Sequence, residues 1–300
     1  MRVKAFALIV LAAASVAVLN ALPAISDSVD VKIDEWMTPS KPAYPHDPAV
    51  APDGSVWYTG NAAGLIGKVD AKTGKVTEYK MPNPKARDPH TIAFLRDGRI
   101  FFTVQAGNFI GTLDPKVAGG AIKLVESPTV NSRPYGVRLD SKGTPFFDEF
   151  NSNKIASADP KTLVITEYPL PNKDARPRRI AIGKDDTVWY GDYARGFLGH
   201  LDPKSGKVEE FPSPGGADSK PYAIDVTADG AIWYVETGDD AKNVLVRFNP
   251  ESRKFLTWPI PSGGGTVRNM EIDKKGDLWL AESGVGKIAR VRITAGKGTQ

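Results

Sequence analysis

The segment Arg133-Pro-Tyr-Gly-Val-Arg-Leu-Asp-Ser-Lys-Gly-Thr-Pro-Phe-Phe-Asp-Glu149 decides the fold, because its layout returns along the chain. A short apolar strand follows a proline, a glycine turn reverses the chain, and a second strand carries an aromatic residue. That aromatic residue recurs at spacings of 44, 45, 43, 44 and 46 residues, at Trp57, Phe101, Phe146, Trp189, Trp233 and Trp279. A strand-bearing repeat of this period predicts the blades of a β-propeller.

Two further segments complete each copy of the repeat. The third segment alternates in the way of a half-buried strand, as in residues 65–69 and 287–291. The fourth carries an acid–aromatic pair such as Glu167-Tyr168, and a proline then stops strand pairing at the outer edge. Each copy therefore predicts one four-stranded sheet.

Six aromatic residues predict six blades, and seven blades are less favoured. Residues 31–39 resemble a fourth strand, such as residues 75–82, yet they precede any first strand. The last copy, from Thr266 onward, holds only three strands. We therefore expect an all-β propeller of six four-stranded blades, in which the N-terminal strand completes the last blade and closes the ring.

Residues 1–26 do not follow the repeat. Arg2 and Lys4 precede an apolar run from Ala5 to Leu22, and Ala24-Ile-Ser26 has the form of a cleavage site. This pattern predicts a signal peptide and a periplasmic or secreted protein, with an uncleaved anchor as the alternative. Residues 27–300 are expected to form a single propeller domain, since no linker interrupts the repeat.

Composition narrows the classes of partner. The chain contains no cysteine, which excludes disulfides and thiolate metal sites. The net charge is +4 with 25% charged residues of both signs, and there is no basic stripe or nucleic-acid-binding motif. We expect a monomer that binds a small molecule and, after signal removal, neither nucleic acid nor membrane.

One face of the ring is predicted to collect titratable side chains. The first and second strands are joined by a tight turn, so the start of one and the end of the other should lie side by side. The paired positions, 14 residues apart, are His46 with Gly60, His90 with Val104, Tyr135 with Glu149, Arg178 with Asp192, Tyr222 with Glu236, and Arg268 with Glu282. Such a density of titratable groups at a concave mouth is typical of a ligand site.

These residue types suggest distinct roles. His46 and His90 have no acid at the paired position, which makes each a candidate general base or metal ligand, although a histidine bound to loop backbone is the alternative. Four residues are candidates for ligand binding: Tyr135, Arg178, Tyr222 and Arg268. Packing of the tyrosines, and Arg178–Asp192 and Arg268–Glu282 ion pairs, remain open as structural alternatives.

Carboxylates at the strand ends are candidate metal ligands. Mg²⁺ and Ca²⁺ take oxygen ligands, which could come from Glu149, Asp192, Glu236 and Glu282. The two paired arginines count against a tight site because they would neutralise two of the four. Further basic residues beside this ring favour an anionic or carboxyl-bearing ligand at a cationic rim, namely Arg133, Arg176, Arg179 and Lys220. No organic cofactor is indicated.

The repeat formula resembles that of the streptogramin B lyase (virginiamycin B lyase) family of β-propellers over the whole mature chain. Its parts are Pro134-Tyr-Gly-Val137, Gly230-Ala-Ile-Trp-Tyr-Val-Glu236, Asn108-Phe-Ile-Gly111 and Ile165-Thr-Glu-Tyr-Pro-Leu-Pro171. The resemblance implies a Mg²⁺-assisted elimination that opens a cyclic depsipeptide at its ester bond. It also implies seven blades, where this sequence predicts six.

The resemblance further implies an active site in the late blades, with a histidine after the blade proline and a glutamate at the end of the aromatic strand. Glu282 matches that glutamate. The histidine position in the same blade holds Arg268, a second glutamate metal ligand is replaced by Thr266, and the histidine position of the preceding blade holds Tyr222.

Three functional hypotheses therefore stand. The first is an exported lyase that opens a cyclic ester or lactone at the channel mouth with help from a divalent cation. The second is a ligand-binding or scaffolding propeller without chemistry. The third is a lactone hydrolase like the gluconolactonases, which should show a compact calcium site near Asn61, Asn151 and Glu149.

Overall fold

The computed structural model describes residues 29–37, 47, 49–61, 64–69, 75–239, 241–285 and 287–295. The predicted signal peptide and His46 lie outside these ranges. The described chain forms 24 strands in six four-stranded sheets, which confirms the all-β fold and the six blades. Among these residues, no helix has the length and apolar character needed to cross a membrane.

The strands follow one another along the chain in the order of the blades. Blade 1 contains β2 (Ala49–Val50), β3 (Val56–Gly60), β4 (Leu65–Val69) and β5 (Val76–Lys80). Blade 2 contains β6 (Pro89–Phe94), β7 (Ile100–Val104), β8 (Phe109–Asp114) and β9 (Ala121–Glu126). Blade 3 contains β10 (Pro134–Leu139), β11 (Pro145–Glu149), β12 (Lys154–Ala158) and β13 (Ile165–Pro169).

The second half of the ring repeats this arrangement. Blade 4 contains β14 (Pro177–Ile182), β15 (Val188–Asp192), β16 (Phe197–Leu201) and β17 (Val208–Pro212). Blade 5 contains β18 (Pro221–Val226), β19 (Ile232–Glu236), β20 (Val244–Asn249) and β21 (Lys254–Pro259). Blade 6 contains β22 (Val267–Ile272), β23 (Leu278–Glu282), β24 (Lys287–Ala295) and the N-terminal β1 (Val29–Met37).

The N-terminal strand closes the ring, as the sequence predicts. β1 pairs antiparallel with β24 through nine residue pairs, from Val29–Ala295 to Met37–Lys287. It is therefore the outer strand of a sheet whose other three strands come from the C-terminal end of the chain. This pairing satisfies backbone groups that an open edge would leave exposed.

Apolar side chains pack between neighbouring blades. Trp233 of blade 5 is fully buried in one cluster with Val267 and Leu280 of blade 6. Phe101 of blade 2 packs in the same way against Phe147 of blade 3, with ring centroids 6.3 Å apart. The periodic aromatic residue of the second strand thus joins one sheet to the next.

The first strands of blades 2 to 6 share a β-bulge at their start. In blade 3, Pro134 lies opposite Glu149, but the next pair is Val137 with Phe147, so two residues of β10 face one of β11. The same shift occurs at the start of β6, β14, β18 and β22. A bulge redirects side chains, and these bulges line the channel on the axis of the ring.

Candidate functional site

The bulges separate the side chains that the sequence suggested would be paired. The strand-end carboxylate lies opposite the residue before the expected partner: Glu149 faces Pro134, and Glu236 faces Pro221. The expected 14-residue pairing is therefore wrong by one position. Because side chains alternate along a strand, the first-strand residue and the carboxylate point to different sides of the sheet.

Each of the four carboxylates instead binds a loop next to its blade. Glu149 accepts hydrogen bonds from the hydroxyls of Ser127 and Ser132, and Glu236 accepts one from Ser213. Ser127 and Ser213 directly follow the last strand of the preceding blade. These carboxylates therefore tie consecutive blades together.

The other two carboxylates have comparable contacts. Asp192 accepts a bond from the backbone N–H of Arg176 at 3.0 Å and forms an ion pair with Arg195 at 3.0 Å. Glu282 accepts a bond from Ser262 at 3.5 Å. The described residues contain no group of three or more His, Asp or Glu placed to hold a metal ion, so the four carboxylates do not come together.

The calcium site expected for a gluconolactonase-like enzyme is also dispersed. The Asn61 amide, after β3 of blade 1, donates to Asp88, just before β6 of blade 2, at 2.8 Å. The Asn151 amide donates to the carbonyl of Asn131 at 3.0 Å, in blade 3. Each asparagine thus bonds to a segment that precedes a first strand, and the two lie in different parts of the ring.

Three of the predicted ligand-binding residues do form one cluster on the axis. The Arg178 guanidinium lies over four aromatic rings at 4.0 to 5.3 Å from their centroids, those of Tyr135, Phe150, Tyr193 and Tyr222. The hydroxyls of Tyr135 and Tyr222 are hydrogen bonded to each other. The guanidinium is attracted to the electron-rich ring faces, and within the described part of the chain its buried Nε has no hydrogen-bond partner.

Arg179 crosses the channel below this cluster. Its guanidinium binds both carboxylate oxygens of Asp47, at 2.7 and 2.8 Å, and its Nε donates to the carbonyl of Arg268 at 3.1 Å. The side chain is 3% exposed, so the expectation that Arg179 belongs to a cationic rim is wrong. It joins blade 4 to the start of blade 1, on the opposite side of the ring.

The predicted base His90 is held by the same network. Its Nδ1 lies 2.9 Å from the Thr91 hydroxyl, which donates to Asp47 at 2.9 Å and accepts from Arg179 at 3.2 Å. The single hydroxyl hydrogen goes to Asp47, so neutral His90 donates from Nδ1 and keeps the basic lone pair on Nε2. The Tyr135 ring covers the imidazole, with centroids 3.6 Å apart, and His90 is 2% exposed.

A buried carboxyl group, Asp148, lies beside the network. Its Oδ1 accepts a hydrogen bond from the backbone N–H of Gly136 at 2.9 Å, while its buried Oδ2 has no hydrogen-bond partner among the residues that the structure describes. Burial raises the pKa of Asp148 to about 7, an effect that the charge of Arg179 opposes. A Cβ at position 136 would lie 2.8 Å from this carboxylate, which explains the glycine.

Sequence reasoning missed Asp47, Thr91 and Asp148. Asp47, Thr91 and Arg179 all occupy the second position after the blade proline, one residue beyond the positions selected from the sequence. That shared position was a detectable signal. Asp148 could have been noticed as an acid inside an otherwise apolar second strand.

The ring of six four-stranded sheets around a polar axis defines a β-propeller protein. Residues 25–239 match the Virginiamycin B lyase family, and the chain belongs to that family.

Solved structures agree with this assignment. The chain is 29% identical to virginiamycin B lyase from Staphylococcus aureus, with 90% of each chain covered and a TM-score of 0.74. The same values hold for a catalytically inactive histidine-to-alanine variant of that enzyme with quinupristin. A streptogramin B lyase structure is 24% identical over 88% of this chain and 98% of the other, with a TM-score of 0.68. No curated protein sequence matches the chain.

Proposed function

We propose that this protein is an exported lyase that opens a cyclic ester or lactone at the channel face where the first strands begin. The observation that carries the proposal is the hydrogen-bond chain from Asp47 through Thr91 to His90 Nδ1, which orients the imidazole, and the proposal assigns the role of base to Nε2. Membership of the Virginiamycin B lyase family supports the reaction class.

The proposed reaction is an elimination. His90 Nε2 takes a proton from a carbon next to a carbonyl group, the C–H electron pair forms a double bond, and the ester C–O bond on the adjacent carbon breaks. The leaving carboxylate keeps the electrons of that bond. Asp47 stabilises the imidazolium through Thr91, and Arg178 is placed to attract the carboxylate.

The chain departs from the family pattern where the resemblance places the catalytic residues. Arg268 stands at the histidine position, and a guanidinium stays protonated at physiological pH, so it stabilises anions but does not act as a base. His90 is buried under Tyr135, so substrate entry requires that ring to turn aside. We therefore expect little turnover of streptogramin B antibiotics.

The proposed reaction assigns no step to Mg²⁺ or Ca²⁺. The donor set implied by the family does not fit this chain, because Thr266 and Arg268 replace two of its members and the described carboxylates lie apart. The proposed proton transfer therefore runs through protein groups alone. Assays with each cation and with a chelator measure whether turnover depends on metal.

The test is an assay of the purified mature protein against a panel of lactones and quinupristin. His90→Gln should lower kcat by about a hundredfold or more, whereas the matched His200→Gln, whose ring stacks on Trp189 at 4.2 Å, should not. His46→Gln tests the other predicted base.

Mass spectrometry distinguishes a lyase from a hydrolase, since hydrolysis adds water to the product. Strong turnover of quinupristin that survives both His46→Gln and His90→Gln contradicts the proposal.

A ligand-binding propeller without chemistry is the second candidate. The observation that favours it is the burial of His90 together with the enclosure of Arg178 by four rings. Saturable binding of a small carboxylate that Arg178→Gln abolishes, without turnover of any ester, supports this candidate over the lyase.

A further inference from the structure

A second cleft opens at the opposite end of the channel, where the first strands finish. Its volume is about 580 Å³, within the range of small-molecule pockets. The first strands of blades 6, 1, 2 and 3 line it, together with the Trp279 side chain from the second strand of blade 6. The proposed lyase site uses the start of these strands, so this cleft is a separate site.

Arg138 bridges the channel at this cleft. Its guanidinium extends from blade 3 to blade 6, on the far side of the ring, where it binds Glu271 at 3.1 Å and the carbonyl of Met270 at 3.4 Å. The Arg179–Asp47 pair crosses the axis nearer the other mouth. Two arginines therefore lie between the cleft and His90.

The walls of the cleft are apolar and partly open to solvent. Val50 is 68% exposed, and Phe94, Leu139 and Ile272 are half-buried around it. Apolar side chains grouped at a concave surface, with a few polar groups among them, are typical of a site for a small organic molecule. The lining thus suits an aromatic or alicyclic body.

The charged groups at the cleft are mostly acidic. Arg138 is the cation among the lining residues, and Glu271 and Asp273 are the carboxylates. Hydrogen bonding by Trp279 lowers the pKa of Asp273. Burial raises the pKa of Asp225, which lies near Arg138 and Glu271 but outside the lining. Among the lining residues, two carboxylates stand against one guanidinium, which favours a cation.

We propose that this cleft binds a small molecule made of an apolar body and an amine, with the body against Val50, Phe94 and Leu139 and the ammonium group beside Glu271. Glu271 is suited to this contact because its side chain is 59% exposed and reaches the cleft from its edge. The proposal is independent of the lyase chemistry.

The experiment is calorimetric titration of the full mature protein at pH 7 with 2-phenylethylamine and with 3-phenylpropanoate, two probes of similar size and opposite charge. The amine should bind saturably and at least tenfold more tightly than the carboxylate. Glu271→Gln should weaken the amine about tenfold. The matched Glu251→Gln, an exposed carboxylate outside the cleft, should leave it unchanged.

A charge can be introduced at position 50 without disturbing the packing of the core, because the Val50 side chain is largely exposed. Val50→Lys should weaken amine binding about fivefold, and Val50→Glu should strengthen it by a similar factor. His90→Gln should leave the affinity for both probes unchanged, which separates this site from the proposed lyase site. Failure of the amine to bind, equal binding of the two probes, or amine binding that Glu271→Gln and both Val50 variants leave unaltered would each overturn the proposal.

Discussion

Arg179 places its charge in the middle of the ring, where three blades meet. Its backbone has φ of +67°, a conformation uncommon for a residue with a side chain, at the second position of the bulge. From there it binds Asp47 of blade 1 and Thr91 of blade 2. One residue with an unusual backbone angle therefore organises the polar axis.

Asp148 should make stability depend on pH. It ionises near pH 7 in the folded protein, whereas an unfolded aspartate ionises near pH 4. The native state keeps a proton that the unfolded chain has lost, so this group's contribution to stability falls as the pH rises from about 4 to about 7. The free energy of unfolding of Asp148→Asn, measured relative to that of the unchanged protein, should therefore rise over that interval by up to about 1.4 kcal/mol per pH unit. Chemical unfolding at pH 5, 6 and 8 measures this difference.

Asp159 provides a control in which stability should depend on pH in the opposite direction. Hydrogen bonds from Thr162 lower the pKa of Asp159, so its contribution to stability is present above pH 4 and is lost as the pH falls. Asp159→Asn should therefore be less stable than the unchanged protein at pH 7, and the difference should shrink in acid. A pH-independent effect of Asp148→Asn would contradict the role given to its burial.

At the scale of elements, β1 is expected to stabilise the whole ring. Removal of residues 27–40 deletes the β1–β24 pairing, with its nine residue pairs, and uncovers the edge of β24. The truncated protein should melt well below the intact mature form or associate through the open edge. Thermal unfolding and light scattering after size-exclusion chromatography measure both outcomes. A monomer that melts within a few degrees of the intact form contradicts the closure argument.

Neighbouring residues of β1 allow a milder test. Ile33 packs against the cluster between blades 5 and 6, while Lys32 points the other way and is exposed. Ile33→Ser should lower the melting temperature clearly, and Lys32→Ser should lower it little. Equal decreases in melting temperature would show that the apolar face of β1 does not contribute to stability.

Trp233 is expected to be structural. It is fully buried, stacks on Trp258 with centroids 5.4 Å apart, and donates its indole N–H to Thr227 at 3.1 Å. Trp233→Ala should destabilise the protein by about 3–5 kcal/mol, measured by urea unfolding. Loss of ligand binding with unchanged stability would contradict this assignment.

At the scale of the whole molecule, the two arginines that cross the channel should contribute unequally. The Arg179–Asp47 pair is buried, so Arg179→Met leaves an uncompensated carboxylate and should cost about 3–5 kcal/mol. The Arg138–Glu271 pair is partly solvated, so Glu271→Gln should cost about 1 kcal/mol or less.

A double-mutant cycle by urea unfolding tests this difference. Asp47→Asn combined with Arg179→Met should be less destabilised than the sum of the two single variants, because the double variant leaves no unpaired charge. Additive effects would show that the two groups are not coupled, despite the 2.7 Å contact.

Local pattern determined the blades. The aromatic period, the turns and the strand alternation are properties of short segments, so the six sheets and closure by β1 could be predicted from the sequence. Ser127 and Ser213, which bind Glu149 and Glu236, also recur at one place in the repeat, just after the fourth strand, and were available to the same reasoning.

The site depended on tertiary structure for two physical reasons. A bulge shifts the register by one residue, and because side chains alternate, that shift separates Tyr135 from Glu149. The axis of the ring then brings together residues that are remote in the chain: Thr91 lies 44 residues from Asp47, and Arg179 lies 132 from it. No local sequence pattern predicts these contacts, because they form only when the six sheets close around one axis.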